Sequence, residues 1–250
     1  MPFQRDDGGV LDELALAQRP ADGDRFELRE PFVYLDPRSG VRYRVPAAGE
    51  ADARATDLAS VPHPLWSLVA SYGRQSAPAL LHDHRSQIAE QLAERDRSAA
   101  LAQRREDDRV FRTALREQGV PLVRAWLMWA WVSADRERTF RGALGWVFLG
   151  QAVLGALAVM AGIVLAWWHP VWLALAAGAL LAALLWGRLA PLQLLLTGSG
   201  AVLAPIVVVH LVPLAVFRGI EAVVELVSGG DPAGVVRPTV AQRRRRRSAP

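Results

Sequence analysis

Hydrophobic and polar positions divide the chain near residue 141. Before that point apolar residues alternate with charged ones or recur at helical spacing. Beyond it, no Asp, Glu, Lys or Arg occurs between Arg141 and Arg188. Because about 20 apolar helical residues cross a bilayer, this run is about twice as long as one span requires. We therefore predict an α+β domain followed by an α-helical transmembrane region.

A Trp-His-Pro sequence at residues 168–170 interrupts the charge-free run near its middle. Proline favours a break or turn at such a position, so the pattern predicts a helical hairpin with spans at about residues 144–167 and 171–187. Tryptophans lie at the outer ends of the spans and at the turn, where the membrane–water interfaces enrich them. The predicted partner of this region is a lipid bilayer, and the predicted location is the cell membrane.

A third apolar stretch covers residues 192–217 and contains Pro205 and Pro213. Its length suits a third transmembrane helix, since proline is tolerated in membrane helices. The same residues also suit a re-entrant segment, and the sequence leaves both interpretations open. Residues 218–228 have the spacing of an amphipathic helix lying along the interface. Residues 229–250 are predicted to form a disordered, arginine-rich tail.

Composition excludes several classes of protein. All 29 basic residues are arginine, and the formal net charge is +4. Residues 1–141 hold 21 arginines and 22 acidic residues, a net charge of −1, so the basic excess lies wholly in the remainder. A broad basic surface for specific nucleic-acid binding is therefore not expected. The absence of cysteine excludes disulfides, thiolate nucleophiles and cysteine-ligated metals.

The arginines also predict an orientation. Arg136, Arg138 and Arg141 precede the first span, and Arg188 follows the second, whereas the turn between the spans carries no charge. The positive-inside rule then places the N-terminal domain in the cytoplasm of a multi-pass membrane protein. The run Arg243–Arg247 lies in the tail, where it could bind anionic lipid, and the side of the membrane that it occupies stays open.

The polar half begins with residues 1–24, which are rich in Gly, Asp and Pro and are predicted to be a disordered arm. Residues 25–141 are predicted to form a domain with a small N-terminal β-hairpin followed by helices. The hairpin is indicated by an apolar run at 32–35, turn-forming residues at 36–40 and alternation at 41–45.

Three ordered blocks in this half resemble a known family. They are TDLASVP at residues 56–62, LHD at 81–83 and DRVF at 108–111, the last followed by Gly-Val-Pro and an aromatic-rich helix. Together they resemble the phage-associated domain of unknown function family 1353 over about residues 26–134. The resemblance implies a small α+β domain without an established activity. One departure is His63, which stands where the family usually has arginine.

Polar side chains within these blocks are the candidate functional residues. Asp57, His82, Asp83 and Asp108 stand beside apolar residues, and Asp108 shares a helical stripe with Phe111. A carboxylate that faces a core must be paired, hydrogen-bonded or bound to a metal. One hypothesis is therefore a site for a divalent metal that activates water for hydrolysis.

The other hypothesis is structural. In it His82 hydrogen-bonds Asp108 across the core, Asp83 caps a helix end, and Asp57 caps a loop, as buried polar networks do without catalysing anything. The nearby Asp107 is expected at the solvated surface.

The first function hypothesis is therefore a membrane-anchored, non-catalytic interaction or structural module with a possible protein partner. The alternative is a metal-dependent hydrolase at the cytoplasmic membrane face, so the sequence leaves open whether the protein is an enzyme.

Overall fold

A computed structural model describes residues 2–19, 25–56, 73–230 and 235 of the chain. These residues form a small antiparallel β region, three helices that follow it, and a series of apolar helices. The strands are β1 (Phe3–Arg5), β2 (Leu16–Gln18), β3 (Phe26–Leu28), β4 (Phe32–Leu35) and β5 (Arg42–Val45). The helices are α1 (Ser76–Ala93), α2 (Arg97–Glu117), α3 (Leu122–Arg141), α4 (Ala143–Leu165), α5 (Leu173–Leu181) and α6 (Ala190–Ser228), with 3-10 segments at Pro170–Trp172 and Ala182–Leu189.

The predicted β-hairpin is confirmed. Strands β4 and β5 pair in antiparallel register, with Val33 opposite Arg44. In the turn between them, the Asp36 carboxylate accepts hydrogen bonds from the backbone N–H and the hydroxyl of Ser39. The same carboxylate accepts from the Arg109 guanidinium at 2.5 Å, so a partly buried ion pair joins the hairpin to α2.

The N-terminal residues correct one expectation. Strand β1 pairs with β4, placing Phe3 opposite Tyr34, and the centroids of their two rings lie 4.9 Å apart. Phe3 is 1% exposed, so it is part of the domain core. Residues 2–19 therefore do not form the disordered arm predicted for residues 1–24. The polar composition concealed one aromatic residue whose burial stabilises the strand.

Helices α1 and α2 form the wall against which the sheet packs. Helix α1 continues past Asp83 to Ala93, so Asp83 does not cap a helix end as the structural hypothesis expected. Asp96 begins α2 by accepting hydrogen bonds from the backbone N–H groups of the second and third residues after it. The core between sheet and helices consists of the following buried residues: Phe3, Leu28, Phe32, Tyr34, Val45, Leu80, Leu81, Val110 and Ala114.

Helix α3 connects this domain to the apolar helices. It is the aromatic-rich helix that follows the DRVF block, and it extends to Arg141. Its residues Ala130 and Ala134 are buried against Phe148 of α4 and Leu192 of α6. The N-terminal domain and the apolar helices therefore share one packed interface.

The first two apolar segments form the predicted hairpin. The returning segment, residues 170–189, lies beside α4. Near its end, Gln151 of α4 donates to the Ala182 carbonyl and accepts from the Trp186 indole. Near its start, Trp172 lies against Gly162 of α4. This order of contacts shows that the two segments run antiparallel. A side chain at Gly162 would bring Cβ to 2.8 Å from the Trp172 carbonyl oxygen, so only glycine permits this approach.

A third apolar segment begins after the backbone reverses at Gly187, which has φ 53°. Helix α6 then runs parallel to α4. Gln193 donates to the Phe148 carbonyl near the start of both helices, and Gly200 approaches Ala156 farther along.

The structure describes α6 as continuous over 39 residues, with Pro205 and Pro213 inside it. The predicted interfacial helix at residues 218–228 is therefore the end of α6 and not a separate element. Two helical runs, Ala143–Leu165 and Pro170–Ser228, are long and apolar enough to cross a membrane. The tail run Arg243–Arg247 lies outside the described residues.

Candidate functional site

The centre of the candidate site is the Asp108 carboxylate, which is fully buried between α1, α2 and α3. Its Oδ1 lies 2.9 Å from His82 Nε2. Its Oδ2 accepts a hydrogen bond from the Ser133 hydroxyl at 3.1 Å and another from Arg136 Nη1 at 2.5 Å. Three helices therefore converge on one carboxylate, and the predicted hydrogen bond between His82 and Asp108 is confirmed.

Helical periodicity explains this convergence. Asp108, Phe111 and Leu115 lie on one stripe of α2, as predicted, and all three are buried. The His82 ring packs against the Phe111 ring with a centroid distance of 4.7 Å. On α3, Ser133 and Arg136 are three residues apart and so project from the same face.

A second buried carboxylate extends the charge network towards the apolar helices. Glu137 is fully buried and contacts Arg136, with 2.9 Å between Oε1 and Nη2. Its Oε2 lies 2.7 Å from the Arg141 Nε. On the other side, Arg104 Nε is 3.8 Å from Asp108 Oδ1. Because these charges alternate in sign, each buried charge has a compensating neighbour.

The protonation states follow from this arrangement. Burial alone would raise the pKa of Asp108, but the His82 hydrogen bond and the charges of Arg104 and Arg136 hold it below its ordinary value. Burial and the Arg104 charge lower the pKa of His82. We therefore assign an ionised Asp108 and a neutral His82 that donates its Nε2–H to Asp108.

Asp107 lies beside this cluster and corrects a further expectation. It is 2% exposed, whereas the sequence placed it at the solvated surface. Its Oδ1 accepts from Arg85 Nε at 2.9 Å and from the Gln103 amide at 2.8 Å. Burial raises the pKa of Asp107, although Arg85 opposes that shift.

The predicted site residue Asp83 contacts a different part of the chain. The half-buried Asp83 carboxylate accepts a hydrogen bond from the Thr56 hydroxyl at 2.5 Å, so it ties α1 to the strand-forming part of the chain instead of capping a helix. Asp57 and His63 lie outside the described residues. Within the described ranges, no group of three or more His, Asp or Glu side chains is arranged to hold a metal ion. The metal hypothesis needs Asp57 and stays a prediction.

Sequence reasoning missed Ser133, Arg136 and Glu137 as members of the cluster. Arg136 served only as a marker of membrane orientation, although helical spacing carries a signal: Trp129, Ser133 and Arg136 recur every three or four residues. The buried face of α3 is therefore partly charged, and apolar periodicity alone does not detect it.

The fold defines the class of protein as an α+β domain joined to a bundle of apolar helices. Residues 26–132 match the family model described as "Protein of unknown function (DUF1353)". This match confirms the resemblance carried by the sequence blocks, and it covers the domain that contains the Asp108 cluster. No curated protein and no solved structure matches the chain significantly.

Proposed function

We propose that the protein is a multi-pass membrane protein whose N-terminal domain lies at the cytoplasmic face and acts as a non-catalytic interaction or structural module. The observation that carries this proposal is the exposure of the apolar helices. In the most apolar window of Pro170–Ser228 only 6% of the residues are buried by the rest of the protein. A core helix of a water-soluble protein would have most of its apolar residues covered.

The uncovered surface is too extensive for isolated exposed residues. Large apolar side chains along α4 and α6 face outward, among them Leu154, Ile163, Val202, Val209 and Val216. Contiguous apolar surfaces of this kind indicate a membrane or a partner protein. Since the runs are also long enough to cross a bilayer, a lipid environment accounts for both their length and their exposure.

The charges at the helix ends support the proposed orientation. Arg141 precedes α4, Arg188 follows the returning segment, and both line one cleft at the boundary with the N-terminal domain. The turn at the opposite end of the hairpin is uncharged and exposes Trp167 and Trp168. Cationic residues on the domain side favour the cytoplasm for that side.

The hydrogen bonds that Asp108 already accepts support a non-catalytic role for the buried cluster. Both oxygens of the Asp108 carboxylate already accept hydrogen bonds from the protein, and the side chain is 0% exposed. A metal ligand or general base needs a free lone pair that a metal or substrate can reach. The cluster therefore fixes how α1, α2 and α3 pack.

Cysteine labelling tests the proposal cleanly, because the chain contains no cysteine. The variants Trp168→Cys and Arg95→Cys place single thiols at the exposed turn and on the exposed surface of the N-terminal domain. We expect a membrane-impermeant maleimide to label Trp168→Cys in intact cells and Arg95→Cys only in inverted vesicles. Alkaline carbonate should leave both variants in the membrane pellet.

Two results would overturn the proposal. Extraction of the chain by carbonate would contradict membrane anchoring. Labelling of Arg95→Cys in intact cells would contradict the proposed orientation. Carrying both cysteines on one chain provides an internal control, since the two sites must then be labelled from opposite sides.

A further inference from the structure

An arginine-lined cleft lies where the N-terminal domain meets the apolar helices. It has a volume of about 540 Å³ and opens to the exterior. Helices α2 and α3 and the end of the returning segment all contribute arginines. The arginines that line it are Arg105, Arg109, Arg112, Arg136, Arg141 and Arg188.

Three of these arginines already have carboxylate partners. Arg109 pairs with Asp36 and Glu106, and Arg136 and Arg141 share Glu137. They shape the cleft, and their charge is largely compensated within the protein.

The other three arginines supply uncompensated charge. Within the described part of the chain, Arg105, Arg112 and Arg188 form no ion pair with a carboxylate. Arg112 instead lies over the Trp126 ring, with its guanidinium carbon 3.9 Å from the ring centroid. Arg105 and Arg188 are exposed. The cleft thus concentrates about three positive charges on guanidinium groups, which bind phosphate oxygens in a bidentate manner.

The apolar part of the lining indicates where the cleft lies relative to a bilayer. Trp129, Trp186 and Leu189 complete its wall. Trp186 packs edge-on against Phe148 at 4.9 Å, within the apolar helices themselves. Tryptophan and arginine side by side at the end of a span are typical of the headgroup level of a membrane.

We propose that this cleft binds a phosphate group, with Arg105, Arg112 and Arg188 as its principal ligands. The phosphate belongs either to an anionic membrane lipid or to a free phosphate compound. The tryptophans beside the arginines favour the lipid, since its headgroup would meet the arginines while its acyl chains lie along the apolar helices. The lipid source rests on the proposed membrane location, whereas phosphate binding itself does not.

The experiment uses the full chain in detergent and two probes. Phosphatidylglycerol is titrated with retained lipid counted by native mass spectrometry, and inorganic pyrophosphate is titrated by calorimetry. The test variant is the triple Arg105→Gln, Arg112→Gln and Arg188→Gln. The matched control removes three exposed arginines that do not line the cleft: Arg54→Gln, Arg95→Gln and Arg124→Gln.

We expect wild type to bind phosphatidylglycerol and the test triple to bind it about a hundredfold or more weakly, since each lost charge-assisted hydrogen bond lowers affinity about tenfold. The control triple removes the same charge and should change affinity by less than about threefold. Arginine-to-lysine changes at the same three cleft positions should recover part of the loss, because lysine keeps the charge without the bidentate geometry. The double variant Arg105→Gln and Arg188→Gln, which leaves the Arg112–Trp126 contact intact, should show an intermediate loss.

The outcomes distinguish a lipid from a free phosphate compound, and they test phosphate binding separately from the proposed membrane function. Sensitivity of phosphatidylglycerol binding to the cleft variants identifies the lipid, and sensitivity of pyrophosphate binding alone identifies a free phosphate compound. Equal losses in the test and control triples, or binding of neither probe by wild type, overturn the inference. Flotation with neutral phosphatidylcholine vesicles tests membrane insertion separately. A chain that floats but binds neither probe leaves the proposed function standing, and one that binds pyrophosphate but does not float removes only the membrane proposal.

Discussion

Replacement of Asp108 by asparagine tests the structural role of the buried cluster most directly. The change removes one negative charge and little volume from a fully buried position. Arg136 keeps its contact with Glu137, but Asp108 is the only carboxylate that pairs with Arg104 among the described residues. The variant therefore leaves about one buried positive charge uncompensated.

The expected loss of stability follows from this one uncompensated charge. Removing one partner of a buried ion pair costs about 3–5 kcal/mol of unfolding free energy. The free energy of unfolding of a whole domain is only about 5–15 kcal/mol. With a urea dependence of about 2 kcal/mol per M, the unfolding midpoint should fall by about 2 M.

Pulse proteolysis by trypsin in a urea series measures this midpoint in the full, detergent-solubilised chain. The N-terminal domain holds many arginines, whereas no trypsin site occurs between Arg141 and Arg188, so cleavage reports on the domain and not on the first two apolar segments. The matched control is Asp135→Asn, which breaks the exposed pair with Arg138 and should change stability by at most about 1 kcal/mol. Equal midpoints for Asp108→Asn and Asp135→Asn would refute the structural role.

Three further predictions concern pH, helix packing and metal. Because the folded-state pKa of His82 lies below its ordinary value, the unfolded chain binds a proton first as the pH falls. Stability is therefore full above about pH 7 and declines as the pH drops below about 6.5. The urea midpoint between pH 7.5 and 5.5 should therefore vary less with pH in His82→Gln than in the wild-type chain, and an unchanged pH dependence would contradict the assignment. Cysteines at Ala156 and Gly200 should oxidise to a disulfide, because a Cβ at Gly200 would lie 3.1 Å from that of Ala156, and a shift of a few tenths of an ångström brings the pair to the separation of about 3.5–4.5 Å found in disulfides. Cysteines at the outward-facing Leu157 and Gly200 should stay reduced. Elemental analysis of the full chain after divalent-metal supplementation should find no stoichiometric metal, and one metal per chain would instead favour the hydrolase hypothesis.

Much of the fold was accessible from the sequence because its signals are local. The strand alternation before Val45 and the charge-free run after Arg141 both depend on neighbouring residues, and the structure confirms the hairpin and the long apolar helices. The burial of Phe3 was not accessible in this way. Its strand pairs with β4, about 30 residues away, and the polar residues around it gave no local indication of that pairing.

The candidate site was predicted in part for the same reason. His82 and Asp108 could be paired because each stands among apolar residues at helical spacing. The arginines that complete the network looked like surface or topology markers. Arg136 is 4% exposed and Arg104 is 6% exposed, yet a buried arginine and a solvated one have the same sequence signature. Only the three-dimensional alternation of charges distinguishes them.

The two faces of α3 imply that the N-terminal domain and the apolar helices do not behave independently. One face buries Ala130 and Ala134 against α4 and α6, and the other presents Ser133 and Arg136 to Asp108. A 20-residue helix held on both sides cannot shift on one side without disturbing the other. A ligand bound in the arginine cleft beside α3 would therefore also perturb the hydrogen bonds of the buried cluster, because Arg136 both lines the cleft and pairs with Asp108.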